Sequence, residues 1–112
     1  MIESDSVDRA EPGAFAVSED GRRWVFTGAL TFEDAARVLE DSRELPLPTG
    51  GHVDFSGLHA ADSAALAVLF ALRRRASAER RRLVFDGLPP GVAALARVYG
   101  IEELVFPQHA AH

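Results

Sequence analysis

The stretch from residue 62 to 76 constrains this chain more than any other. Ala65, Leu66, Val68, Leu69, Phe70 and Leu72 are spaced so that apolar groups cover most of a helix's circumference. A helix with so little polar surface must lie against another layer of structure. Its flanks say which kind. His52-Val-Asp-Phe55 is a short β-prone run before it, and Arg82 to Phe85 is another after it. Strand, helix and strand in that order make a unit whose two strands run parallel, joined by a right-handed crossover.

The rest of the chain extends this unit. Phe15 and Val17, then Trp24 to Thr27, form two short β-prone runs around Glu19-Asp20-Gly21, and Asp-Gly between such runs signals a hairpin. Gly28 is expected to close the second run. Thr31-Phe32-Glu33-Asp34 opens a helix, with Thr31 capping a free N–H and Asp34 reaching back. Ala35, Ala36, Val38 and Leu39 are its apolar face, and Pro46, Pro48, Gly50 and Gly51 end that region in a loop. Pro89-Pro90 begins a last helix over Val92 to Tyr99, which Gly100 stops. Leu104 to Phe106 adds a short strand or packs over the core, and Trp24 is expected to cover the core from the hairpin. The prediction is a single α/β domain with a mainly parallel four- to five-stranded sheet, an N-terminal β-hairpin and packed helices. The domain spans 13–107, between an acidic tail at 1–12, expected to be mobile, and a tail at 108–112. At 112 residues there is room for one domain and its core.

Several functions are excluded or disfavoured. The chain has no Cys, so disulfides and thiolate chemistry are out. No apolar run approaches the ~20 residues of a membrane span, and the acidic Met1-Ile-Glu-Ser-Asp is unlike an export signal. A cytoplasmic protein with no direct membrane insertion is expected. The net charge of −5 argues against a nucleic-acid partner. Six of the twelve basic residues, all Arg, fall in the run 73–82. They read as a solvated helix end near the negative helix pole, with a docking patch as the alternative. His109 and His112 lack a carboxylate or thiolate companion for a metal, and no Gly-rich phosphate loop joins a strand to a helix. His59, Asp62 and Ser63 hold the atoms of a catalytic triad but are too close in sequence, across a helix start, to converge as one. No catalytic residue, metal or cofactor is expected.

What remains is the helix start itself. Asp62 is a natural N-cap, its carboxylate accepting a free N–H of the first turn and complementing the helix dipole. Ser63 then occupies the first turn with its hydroxyl free to face a partner. Ala60, Ala61 and Ala64 are small, so another surface can approach closely. Partner binding is therefore expected at His59, Ala60, Asp62, Ser63 and Ala64.

The strand-loop-Asp62-Ser63-helix unit, with the Gly28-x-Leu30-Thr31 junction before it, resembles the STAS domain family over roughly residues 14–106. The resemblance implies that Ser63 is the regulatory residue, phosphorylated by a partner kinase in some members. Ala64 and Ala65 depart from the Ser or Thr and then Gly that often follow, which bears on whether a kinase acts here. Leu66-Ala-Val-Leu-Phe70, Val92 to Gly100 and the short tail look most like the small STAS subunit of bacterial Mla-type phospholipid-transport ABC complexes. That likeness implies a regulatory and assembly subunit seated on a cytoplasmic ATPase, peripheral to the inner membrane through that partner. The alternative is an anti-sigma factor antagonist that binds an anti-sigma serine kinase.

Overall fold

The computed structural model describes residues 11–105. Strand β1 (Ala14–Val17) pairs antiparallel with β2 (Arg23–Leu30), then helix α1 (Phe32–Ser42) leads to β3 (His52–Ala61). Helix α2 (Ala64–Ala78), β4 (Val84–Asp86), α3 (Pro90–Val98) and the short α4 (Glu102–Val105) follow. The four strands form one sheet in sequence order, with β2, β3 and β4 mutually parallel. This is the expected α/β arrangement. Glu11 and Pro12 already pair with Ala29, whose N–H donates to the Glu11 carbonyl at 2.9 Å. The rest of the expected tails at 1–12 and 108–112 falls outside the described residues.

Consecutive parallel strands joined by crossovers of one hand place their helices on one face of the sheet. Burial follows that rule. Trp24, Phe26, Val53 and Phe55 point into the helix layer and are fully buried, whereas Arg23, Val25, Thr27, His52 and Asp54 alternate onto the other, more open face. An aromatic row crosses the covered face: Phe15 of β1 against Trp24 and Phe26 of β2, then Phe55 of β3, then Phe85 of β4, with centroids 5.0–5.9 Å apart. Trp24 does not merely cover the core from the hairpin. It is wholly buried, and its indole N–H donates to the Pro46 carbonyl at 2.9 Å.

Helix α2 lies on this row. Ala65, Leu66, Val68, Leu69 and Leu72 are buried as their spacing requires, while Phe70 turns partly outward under the Arg74 guanidinium. At the hairpin, Asp20 accepts from the Ser18 hydroxyl and the Arg22 N–H, which holds its carboxyl below the usual range. Gly21 takes the positive φ of 74° that the turn needs.

Two expectations are corrected. Strand β2 does not close at Gly28. It continues to Leu30 through a bulge in which Gly28 has φ 100°, and a Cβ there would strike the Pro12 carbonyl. Strand β3 is not the short run 52–55. It extends to Ala61 because two bulges, at Phe55-Ser56 and at His59, absorb residues that would otherwise end the pairing. Asp54 secures the first by accepting the Ser56 N–H at 2.9 Å, and hydrogen bonds from Ser56 keep its carboxyl below the usual range. Of the two forms expected for Leu104 to Phe106, a strand is not the one found: Glu102–Val105 is helix α4, entered through Gly100 at φ 71°, and Phe106 lies outside the described residues.

Leu69 is fully buried between helix and sheet, so Leu69→Ala is expected to lower unfolding free energy by about 2–5 kcal/mol in denaturant titrations. A loss under about 0.5 kcal/mol would contradict the placement of α2.

Candidate functional site

The β3–α2 junction sits beside the β2–α1 junction, because Leu30 and Ala61 are register partners at the ends of adjacent parallel strands. Two helices therefore start side by side, each with free backbone N–H groups. Asp62 serves both. Its Oδ1 accepts the Ala64 N–H at 2.8 Å, and its Oδ2 accepts the Phe32 N–H at 3.0 Å from the neighbouring helix. One carboxylate thus caps α2 and α1 together, with its charge at the positive ends of both dipoles.

This revises the cap expected for α1. Thr31 offers no side-chain bond to a backbone N–H, and its hydroxyl instead faces Asp34 Oδ2 at 3.4 Å. Asp62 takes a different group, the N–H of Phe32, the first residue of α1, which no local cap reaches. Sequence inspection could expose the Asp62 cap within α2. The second bond spans 30 residues and has no local signature.

The sequence-derived residues fall as follows. Ser63 is exposed in helical conformation, φ −63° and ψ −19°, so it stands in the first turn beyond the cap. The Asp62 and Ser63 carbonyls accept the Ala65 and Leu66 N–H groups at 2.9 and 3.1 Å, which locks that turn. Ala64 is half-buried beside it. His59 is exposed at the second bulge and Ala60 is half-buried opposite Ala29, so both stand on the strand and not in a loop. Asp62, Ser63 and Ala64 form one contiguous surface, with His59 and Ala60 on the strand that leads to it.

Both Asp62 oxygens accept backbone N–H groups, and among the described residues no hydrogen bond joins His59, Asp62 and Ser63 to one another. Among the described residues no three His, Asp or Glu side chains converge on a metal position. His109 and His112 lie outside the described residues. No helix of the described residues is long and apolar enough to cross a membrane.

Two features escaped the sequence. Phe32, the first residue of α1, is 82% exposed beside the Asp62 cap. On the open sheet face His52 Nδ1 lies 2.7 Å from Asp86 Oδ2, across two parallel strands, with Arg23 3.8 Å from Asp54 nearby. Half of the arginine run, Arg74, Arg80 and Arg82, is exposed as a solvated face requires, whereas the other half is drawn into the fold. Arg73 donates to the Leu83 carbonyl and sits over Phe85, and burial lowers its pKa. Arg75 bonds the Ser42 and Leu45 carbonyls, and Arg81 the Pro48 carbonyl. These three tie α2 and the turn after it to the end of α1, to the segment that follows α1, and to Leu83.

A family model described as "Mlab, STAS domain" matches residues 18–106. The chain belongs to the STAS domain family. STAS domains are in general non-catalytic modules that bind or regulate proteins. No curated protein matches the chain.

Removing the shared cap should be costly at two places. Asp62→Ala is expected to destabilise by about 1–3 kcal/mol, because two N–H groups lose their acceptor. Asp62→Asn keeps one acceptor oxygen and is expected to lose about half as much. Urea titration of the pair checks this; a full loss in Ala with almost none in Asn would show that only one bond contributes.

Proposed function

We propose that this STAS domain is a non-catalytic regulatory and assembly subunit that binds the cytoplasmic ATPase of a bacterial lipid-transport ABC complex of the Mla type. It docks through the Asp62-Ser63 helix start. The observation that carries the reading is the shared Asp62 cap, which fixes two helix starts as one rigid surface with Ser63 exposed among small side chains. The match to a family model described as Mlab supports the transport assignment.

The chemistry needed is recognition alone. A surface already held by backbone hydrogen bonds loses little conformational freedom on docking, so more of the contact energy is retained as affinity. The partner ATPase moves between conformations as it binds and hydrolyses nucleotide. A subunit that binds one of these states more tightly shifts the population toward it, by no more than its differential affinity. In this reading the chain is cytoplasmic and reaches the inner membrane only through its partner, without nucleic acid or cofactor.

The exposed Ser63 hydroxyl also favours a second reading, an anti-sigma factor antagonist that binds a serine kinase. A phosphate on Ser63 would bring about −1.5 to −2 charges beside Asp62 and would compete for the N–H groups that Asp62 now holds. The two readings share the surface and differ in the partner.

Calorimetric titration into the ATPase tests both. Ser63→Asp places a second carboxylate at the centre of the contact, where desolvation and repulsion by Asp62 act together. It is expected to fold normally and lose binding, whereas Ser63→Ala folds and loses less. Wild-type affinity for Ser63→Asp would place the contact elsewhere. Binding to a serine kinase alone, released when ATP phosphorylates Ser63, would decide for the second reading.

A further inference from the structure

We infer that Phe32 is the anchor of this contact, its ring entering an apolar pocket on a partner protein whose rim around that pocket is basic. The inference rests on the docking reading above and names the chemistry of the surface that would meet it.

A single exposed apolar side chain is ordinary on a protein surface. Three observations set Phe32 apart. First, its backbone is held. Thr31 is extended at φ −113° and ψ 178°, and the next residue enters α1 with its N–H bound to Asp62. The ring, 82% exposed, is thus carried on a fixed backbone with only two side-chain torsions left to order. Large aromatic groups of this kind, buried at the centre of a contact, dominate binding energies.

Second, the ground beside the ring is low. Ala61 and Ser63 are exposed and Ala64 is half-buried, so the adjoining junction raises no long side chain against a partner closing around Phe32. The other strongly exposed large apolar residues, Val98 and Tyr99, lie at the far end of α3, where that helix finishes.

Third, the charge around Phe32 has one sign. Glu33 and Asp34 follow it in the first turn of α1, and Asp62 lies beneath it. The described arginines gather at the other end: Arg22 and Arg23 at the start of β2, Arg43 after α1, and Arg80 to Arg82 after α2. Arg37 is the nearest exception, and it is engaged by the Gly13 carbonyl, Asp34 and Asp41. A basic protein surface meets complementary charge here. An anionic lipid surface or an acidic protein meets repulsion.

The test titrates the ATPase subunit of the Mla-type transporter from the same genome with wild type, Phe32→Ala, Phe32→Leu, Glu33→Lys and Ser63→Asp, at low and high salt. Removing an exposed ring leaves the fold intact, which thermal unfolding verifies for each variant. Phe32→Ala is expected to weaken binding about 30-fold or more, with Phe32→Leu in between. Glu33→Lys is expected to weaken binding at low salt and to flatten its salt dependence.

Loss of binding in Ser63→Asp with wild-type affinity in Phe32→Ala overturns the anchor and leaves the docking reading standing. A wild-type chain that does not bind the ATPase overturns both. Phe32-dependent self-association in sedimentation would make a second copy the occupant. Phe32-dependent binding to anionic phospholipid vesicles would make it a membrane. Either result overturns the basic protein pocket.

Discussion

One carboxylate holds together the two helix starts at which the proposed contact lies. Asp62 lies at the close of β3, and its two oxygens reach the first N–H of α2 and the first N–H of α1. Each of those groups would otherwise need water or a local cap, and the residue placed to cap α1, Thr31, does not do so. The parallel pairing of β2 with β3 makes the bridge possible, because it delivers both helix starts to the same edge of the sheet. Removing the charge leaves two helix starts that can move separately. With it, Phe32, Ser63 and the small residues around them share one frame.

The body of the domain supports that frame by simpler means. An aromatic row runs across four strands beneath α2, and the helix presents a nearly continuous apolar stripe to it. Arginines close the opposite end. Arg75 and Arg81 bind carbonyls of the segment between α1 and β3, and Arg73 binds Leu83 before β4. Arg80 takes a left-handed conformation at φ 59° that ends α2, with the Arg81 N–H returning to the Ala76 carbonyl.

Much of this was legible in the chain. The apolar spacing of α2, the Asp-Gly hairpin, the proline start and glycine stop of α3, and the Asp62 cap are local signals, set by residues within one or two turns of each other. The misreadings share a cause of the opposite kind. Ser56-Gly57 looks like the end of a strand, yet tertiary pairing carries β3 through two bulges to Ala61. The fate of the arginine run depended on which carbonyls the fold would bring near it. The Phe32–Asp62 bond and the His52–Asp86 pair join residues 30 and 34 positions apart, and no periodicity encodes them. For the same reason Phe32 entered the sequence reading only as part of the segment that opens a helix, with nothing to mark its ring as exposed beside the Asp62 cap.

The account depends on the two helix starts behaving as one unit, and amide hydrogen exchange resolved at Phe32 and Ala64 tests this most directly. If Asp62 holds both, Asp62→Ala should lower the protection of the two amides together while the amides of Leu69 and Phe55 follow only the change in global stability. Loss of protection at Ala64 with Phe32 unchanged would contradict the shared cap, and with it the rigid docking surface built on it.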